Sequence, residues 1–409
     1  MISINRIMER IELLSKISEP TEQGVSRVAL TKEYKQAIDV VSTWMQEAGM
    51  STRLDNAGNL IGFRKGSDET LAPVALGSHI DSVREGGKYD GIIGVIGGIE
   101  VAQHLFEENI NIKRGIEVIA FCEEEGSRFQ SGGVFGSRAM VGKLKEKDLE
   151  VTDEQGITRR EALKNFGLDA DHIEQAIREK GDLSLYLEMH IEQGPLLFSK
   201  NVPVGIVTGI TGLSLIDITF KGEANHVGAT PMNMRNDALL GASEVALQVE
   251  KITNRFGEFA VGTVSTLELL PGQVNIVPGE VKIVIDVRDL DEQRRDGILE
   301  EIELATQNVC QKRGLAYEIN TRMKVKPALS APHVLDQMLN DAEKLGIQTI
   351  KMPSGGGHDA QLMNEITDIG MVFVRSENGS HNPDEYAAPT DIEKGTQLLS
   401  EVTIHYLCD

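Results

Sequence analysis

The stretch GSHIDSVREGGKYDG (residues 77–91) follows a short apolar run at 74–76 and leads into the glycine-rich apolar stretch IIGVIGGIEV. It carries one imidazole, His79, and two aspartates, Asp81 and Asp90. An apolar run of this length, bounded by polar and glycine residues, is typical of a buried strand. The stretch therefore predicts a strand whose carboxyl end presents an imidazole and carboxylates, which is where functional groups gather in α/β sheets.

Outward from this stretch, short apolar strands alternate with segments of helical spacing. Helices are predicted over residues 3–17 and 31–49, and from Gly91 to about Asn109; strands are predicted at NLIGFRKG (59–66), PVALGSHI (73–80) and IEVIAFCEEEG (116–126). Such alternation favours an α/β fold with a mainly parallel sheet and helices on its faces.

A different order of elements begins near residue 211. Strand, helix, strand, strand, helix and strand follow one another until the strand AYEINTRM ends at 323. This βαββαβ order is that of a ferredoxin-like unit. Helical spacing around 334–345 and the strand IGMVFVRS then resume the first pattern. We therefore predict a metal-binding α/β catalytic domain over 1–210 and 326–409, interrupted by an α+β domain over 211–325.

Composition narrows the classes of function. The 409 residues include 63 acidic and 41 basic side chains, a formal charge of -22, and no basic block that could follow a phosphate backbone. Apolar runs fall short of the roughly 20 residues that span a bilayer, and the N-terminus does not resemble a signal peptide. Three cysteines without CxxC spacing suggest neither disulfides nor a thiolate metal site. These features favour a cytoplasmic protein that binds neither nucleic acid nor membrane.

Three histidines stand beside carboxylates at predicted strand ends: His79, His190 in LEMHIEQG and His381 in GSHNPDE. Together with Asp90 and the glutamates at 123–125 they form a set of nitrogen and oxygen donors without sulfur. Such donors suit zinc, manganese, cobalt or nickel.

A carboxylate shared by two cations about 3.5–4 Å apart is how many hydrolases ionise a bridging water near neutral pH. The acidic run at 123–125 offers one glutamate for a metal and a neighbour for a proton, and Asp81 could orient the His79 ring. The alternative is that each histidine is an ordinary core or surface residue and the acidic run a solvated face. Placement directly after apolar strands favours the metal site.

Eight sequence blocks carry a resemblance to a known family. They are, in order, GSHIDSVREGGKYDGIIGV, CEEEGSRF, LEMHIEQGPLL, GEANHVGATPM, GQVNIVP, DVRDL, SGGGHDA and SHNPDE. They resemble the hydantoinase/carbamoylase amidases, a group with N-carbamoyl-L-amino acid hydrolases, allantoate amidohydrolases and β-ureidopropionases, within the dinuclear-metal aminoacylase and carboxypeptidase superfamily.

The resemblance implies a role for each residue of the cluster. One metal would be held by His79, Asp90 and His190, and the second by Asp90, Glu125 and His381, with Asp90 as the bridge and Glu124 as the catalytic base. It also implies a homodimer formed through the inserted domain, which acts as a lid.

In the inserted domain, the resemblance implies that His226, Asn275 and Arg288 reach the substrate of the partner subunit. Physically, a histidine can donate to a developing oxyanion, and an arginine offers a planar fork for a carboxylate. Without the resemblance they would be a loop histidine, a turn asparagine and a surface arginine paired with a neighbouring aspartate. Gln193 and His358 match motifs near the family's pocket.

Two departures from the family pattern stand near the site. Gly379, Ser380 and His381 are contiguous, where the family has a residue between the glycine and the serine. The block SGGGHDA has glycine where alanine is common. Either could alter the floor of the pocket without removing a ligand.

The sequence as a whole predicts a hydrolase that cleaves the ureido C–N bond of N-carbamoyl-L-amino acids. Allantoate amidohydrolase is the alternative that uses the same groups, and a dipeptidase or N-acyl amino acid deacylase is less favoured by the His79–Asp90 spacing and the HIEQGP block. A non-catalytic, metal-dependent ligand-binding protein is the alternative from another class. An intact Glu124 argues against it, because a pure binder has no use for a general base.

Overall fold

The computed structural model describes residues 1–408. Its helices are α1 (Ile4–Ser15), α2 (Lys32–Glu47), α3 (Ile92–Glu107), α4 (Phe135–Met140), α5 (Glu146–Leu149), α6 (Arg159–Asn165), α7 (Leu196–Lys200), α8 (Ala238–Thr253), α9 (Glu292–Arg313), α10 (Pro332–Leu345), α11 (Asp359–Met363) and α12 (Pro389–Cys408). Its strands are β1 (Ser51–Leu54), β2 (Leu60–Arg64), β3 (Val74–His79), β4 (Ile116–Phe121), β5 (Leu185–Ile191), β6 (Val204–Ile210), β7 (Gly212–Lys221), β8 (Asn225–His226), β9 (Val261–Leu270), β10 (Ile276–Val277), β11 (Glu280–Asp289), β12 (Ala316–Lys324), β13 (Ala328–Leu329), β14 (Thr349–Ser354), β15 (Ile369–Val374), β16 (Ser376–Glu377) and β17 (Tyr386–Ala387).

The chain forms two compact units, of which unit 1 comprises residues 1–209 and those from 329 on. Unit 1 is built on a nine-stranded sheet with the order β1-β2-β4-β3-β5-β15-β6-β13, and β14 pairs with β6. The central strands β4, β3, β5 and β15 are parallel and buried along their length. The α/β fold predicted from the sequence is confirmed.

The flanks of this sheet differ from the prediction of a mainly parallel sheet. β2 runs antiparallel to both β1 and β4, and β6 runs antiparallel to β15. The reason is local at β2, because Asp55 closes a tight turn by accepting the N–H groups of Ala57 and Asn59, each at 2.9 Å. That turn sends the chain back along β1, so β2 enters the sheet reversed. The segment 59–66 thus contains a strand, as the sequence predicted, and that strand runs antiparallel to both of its neighbours.

Helix α3 lies against β3 and β5, and its residues 92–103 are all buried, with Glu100 and Gln103 as the polar ones among them. Two glycines allow the contact. A Cβ at Gly91, whose φ is +69°, would lie 2.4 Å from the His79 ring, and a Cβ at Gly94 would lie 2.3 Å from the Met189 carbonyl oxygen. Neither position has room for a side chain. Among residues 1–408, no helix is both long and apolar enough to cross a membrane.

Unit 2 comprises residues 210–328 and has its own core. Its elements follow the βαββαβ order, and its antiparallel sheet has the order β12-β7-β11-β9. Helices α8 and α9 pack against each other and against β7 and β11. This is the ferredoxin-like arrangement. A separate two-stranded ladder joins β8 to β10.

Candidate metal centre

Unit 1 brings polar side chains together at the carboxyl ends of its parallel strands. His79 is the last residue of β3, His190 lies at the end of β5, and Glu123 to Glu125 follow β4. Asp90 directly precedes Gly91, the N-cap residue of α3. Parallel neighbours end at the same edge, so these groups converge although they are far apart in sequence.

The first group consists of His79, Asp90 and His190. The Nε2 atoms of His79 and His190 lie 3.6 and 3.1 Å from Asp90 Oδ1. Each ring donates from Nδ1 to a carbonyl oxygen, His79 to Asp81 at 3.1 Å and His190 to Ile191 at 2.9 Å. Because a carbonyl only accepts, each Nδ1 carries a proton, and each Nε2 faces Asp90, as in histidines that bind metals through Nε2.

The second group consists of Asp90, Glu125 and His381. His381 Nε2 lies 3.4 Å from Asp90 Oδ2 and 3.3 Å from Glu125 Oε2. In each group the potential ligand atoms all lie within 4.8 Å of one another. Asp90 belongs to both groups, one oxygen facing each. Ligands about 2 Å from a common ion are separated by such distances, so the donors fit two divalent ions that share Asp90.

The three adjacent glutamates have three different environments. Glu123 is fully buried and pairs with Arg159, whose Nε lies 2.9 Å from its Oε2. Glu124 Oε2 lies 3.6 Å from His79 Nε2, and Glu125 faces His381. Glu123 has a φ of +56°, which turns the chain and separates its side chain from the next two. One glutamate is thus structural, and two remain for the site.

Asp81 holds this turn. Its two carboxylate oxygens accept the N–H groups of Glu124 and Glu125, at 3.2 and 3.1 Å. Its Oδ1 lies 3.7 Å from His79 Nδ1, farther than its own carbonyl oxygen. Asp81 therefore touches His79 mainly through its backbone, while its carboxylate fixes the glutamates.

The pKa shifts in this cluster are those expected where several buried carboxylates lie together without enough positive charge. Burial raises the pKa of Glu124 well above its usual value and that of Glu125 to about 7, where the charge of Asp90 adds to the effect. Burial alone would lower the pKa of His79, but the charge of Glu124 and the hydrogen bond with Asp90 outweigh it and leave this pKa well above normal. Among residues 1–408, the ion pairs of Asp90, Glu124 and Glu125 are all with histidines. Divalent cations would supply the missing charge.

The two residues matched to the family's pocket lie beside this cluster. Gln193 donates from Nε2 to Asp90 Oδ2 at 2.8 Å. His358 is buried, and its ring centroid lies 4.5 Å from that of His190. Burial and the neighbouring His190 lower the pKa of His358 well below its usual value, so its ring is neutral.

Of the three residues of unit 2 that were predicted to bind substrate, His226 and Asn275 lie together at the β8–β10 ladder, and Arg288 lies on β11. His226 pairs with Ile276 in the β8–β10 ladder, next to Asn275, and both His226 and Asn275 are exposed. His226 Nδ1 accepts the N–H groups of Gly228 and Ala229 at 3.1 and 3.2 Å. Its Nε2 therefore carries the proton and can donate.

Arg288 lies on β11, apart from that ladder in sequence. Its guanidinium pairs with Asp286, with distances of 3.0 and 2.8 Å for the two contacts. This is the ion pair that the alternative interpretation of the sequence expected.

Several buried charged residues at this edge of the sheet were not predicted. Arg159 comes from a helix without any motif, and Glu188 and Asp359 lie behind the histidines, where Glu188 accepts from Ser78 and Asp359 from Ser137. Glu385 is also buried. Three of them lie in sequence blocks quoted above, Glu188 in LEMHIEQGPLL, Asp359 in SGGGHDA and Glu385 in SHNPDE, whereas Arg159 lies in none.

Comparisons with known proteins agree with this geometry. The family described as Peptidase family M20/M25/M40 matches residues 75–405. The N-carbamoyl-L-amino-acid amidohydrolase of Pseudomonas sp. (strain NS671) is 46% identical over 410 residues, which cover 99% of this chain and 99% of that relative. The allantoate amidohydrolase of Bacillus subtilis (strain 168) is 32% identical, over 97% and 96%. A crystal structure of an amidase of the hydantoinase/carbamoylase family from Burkholderia multivorans is similar with a TM-score of 0.92 and 33% identity, covering 100% of this chain and 98% of that one.

Proposed function

The chain belongs to peptidase family M20/M25/M40, and on that premise we propose that it cleaves the ureido C–N bond of N-carbamoyl-L-amino acids to the L-amino acid, carbon dioxide and ammonia. It is a hydrolase of amide C–N bonds, as its full-length relatives are. The observation that carries the proposal is the pair of ligand groups that share Asp90, with Glu124 beside them.

The proposed roles rest on the chemistry of each side chain together with the family resemblance. Two divalent ions, when bound, would lower the pKa of a water molecule and polarise the ureido carbonyl. Glu124 takes the proton of the attacking water and returns it to the leaving nitrogen. His226 donates from Nε2 to the oxyanion. Arg288 binds the carboxylate of the substrate with its planar fork.

The proposed resident ions are zinc or manganese, because two carboxylates and three imidazoles offer nitrogen and oxygen donors that suit both. Cobalt and nickel fit the same donors, so availability decides among the four. A cytoplasmic location stays a prediction.

Allantoate is the second candidate substrate, since a relative named allantoate amidohydrolase covers nearly the whole chain. The N-carbamoyl amino acids are favoured because a relative named for them has the higher identity, 46% against 32%. Both reactions release ammonia and use the same groups.

Ammonia release decides between the candidates. The purified protein is stripped of metal, reloaded with manganese, zinc, cobalt or nickel, and given N-carbamoyl-L-methionine or allantoate, with amine release from N-acetyl-L-methionine as a third arm. Preference for N-carbamoyl-L-methionine supports the proposal, and preference for allantoate or the acetyl compound replaces it. Silence in every arm favours the non-catalytic binding protein.

We further propose that unit 2 forms a homodimer. Within the described residues 1–408, its edge strand β9 pairs only with β11 and carries exposed apolar side chains, among them Val261, Leu267 and Leu270. Leu247 on α8 is 60% exposed. An unprotected apolar edge is a common pairing surface, and a second copy would satisfy its free N–H and C=O groups.

The dimer and the action of Arg288 across it are testable together. Arg288→Ala is expected to raise KM, because the carboxylate of the substrate loses its partner, with little change in metal content. In a mixed dimer of Arg288→Ala and Glu124→Gln chains, isolated through two different tags, one complete site forms if Arg288 acts across the interface. At substrate concentrations well below KM, the rate should then reach about half that of the wild-type dimer.

The matched control pairs a wild-type chain with a chain that carries both substitutions. Action across the interface leaves that dimer without a complete site, whereas action within one subunit leaves it with one. The proposal fails if this control dimer is active and the mixed dimer is not, or if the two tags never purify together.

A further inference from the structure

Glu385 is a buried carboxylate that no step of the proposed reaction uses. It is 4% exposed, and Oε1 accepts the backbone N–H groups of Tyr89 at 3.0 Å and Asp90 at 3.1 Å. These bonds fix the backbone from which the shared carboxylate of the two ligand groups projects.

The other oxygen of Glu385 reaches the segment that carries His381. Oε2 lies 2.6 Å from Ser380 Oγ, and the same hydroxyl also contacts Asp90 Oδ2. Asp90 and Ser380 are 290 residues apart. Glu385 and Ser380 therefore connect the backbone of one ligand segment to the side chain of Asp90 and to the residue before His381.

The backbone around Ser380 is wound tightly and needs such anchors. Asn378, Gly379 and His381 have φ values of +66°, +74° and +59°, a region that residues other than glycine adopt at a cost. This is the place where the sequence lacks the residue that separates Gly379 from Ser380 in the family pattern. In this backbone conformation the Ser380 hydroxyl contacts Asp90.

Glu385 fits neither of the plainer roles for a carboxylate. It belongs to none of the groups of potential ligands found among residues 1–408, and both of its oxygens already accept hydrogen bonds. No lysine, arginine or histidine of the described chain forms an ion pair with it, so it is no partner in a salt bridge. The chain also keeps space for it, because a Cβ at Gly87 would lie 2.2 Å from Glu385 Oε1.

We propose that Glu385 is a positioning residue that, together with Ser380, holds Asp90 and His381 in register and thereby sets the affinity of the second ligand group for its metal ion. The inference rests on the proposed function only in taking the two groups as metal sites. Asp90, Glu125 and His381 supply the ligands, and Glu385 acts through two of them.

Metal affinity is the test, measured without substrate by competition with a chelator and by metal content after dialysis. Glu385→Ala is expected to weaken the binding of the second ion, the one at Asp90, Glu125 and His381, by ~10–100-fold. This is the usual cost of losing a residue that hydrogen-bonds to metal ligands. Ser380→Ala should weaken the same ion. Glu385→Gln should restore most of the affinity, because its amide oxygen still accepts from Tyr89 and Asp90 and its amide N–H can donate to Ser380.

Asp384→Ala is the matched control, because this neighbouring carboxylate is exposed; its affinity for metal should equal that of the wild type. Wild-type affinity in both Glu385→Ala and Ser380→Ala would overturn the proposal. So would a Glu385→Gln variant as weak as Glu385→Ala, since the charge rather than the hydrogen bonds would then matter. If Glu385→Ala does not fold without metal, Ser380→Ala and Glu385→Gln decide. A wild-type protein that binds two ions but releases no ammonia ends the proposed function and leaves this test intact.

Discussion

Glu124→Gln is expected to lower kcat by ~10²–10⁴-fold, the usual contribution of a positioned general base. The substitution keeps the shape of the side chain and removes only its capacity to take a proton. Glu124 is not a member of the ligand groups around Asp90, and its backbone N–H still donates to Asp81. Metal content, thermal stability and KM should therefore stay close to those of the wild type.

The contrast with a second glutamate makes this result specific. Glu377→Gln changes charge by the same amount, at a partly exposed position outside the ligand groups, and should leave kcat unchanged. A Glu124→Gln protein that keeps wild-type turnover would refute the base. One that loses metal would instead make Glu124 a ligand, and the roles within residues 123–125 would need to be exchanged.

The roles of these three glutamates also show where sequence reasoning stops. The apolar strand before them predicted that an acidic cluster meets the sheet edge, because strand pattern and strand end are local properties. Which glutamate turns away depended on Arg159, which reaches Glu123 from helix α6. No local pattern marks Arg159 as the partner of Glu123. The separate roles of the three glutamates were therefore inferred from the family resemblance and from tertiary structure.

Sequence pattern was equally unable to predict the direction of a strand in the sheet and the contacts between residues far apart in the chain. Apolar pattern predicted β2 as a strand, but its reversal depends on the turn at Asp55, whose side-chain bonds no strand pattern contains. Glu385 was visible in a motif, yet its contacts with the backbone at 89–90 span nearly 300 residues. Local pattern thus predicted which residues stand at the edge of the sheet, and only packing reveals which of them hold the others.

Asp90→Ala is expected to abolish turnover and to remove both metal ions, because Asp90 is the one residue common to the two ligand groups. Its oxygens face His79 and His190 on one side and His381 on the other. The loss in metal affinity should exceed the ~10–100-fold expected for a residue behind the ligands. His381→Ala should behave differently, because it removes a ligand of the second group only and its side chain is half exposed. Metal analysis after dialysis should then give two ions per subunit in the wild type, one in His381→Ala and none in Asp90→Ala. If Asp90→Ala retains one tightly bound ion, the two groups are independent sites and the shared carboxylate is not the basis of the centre.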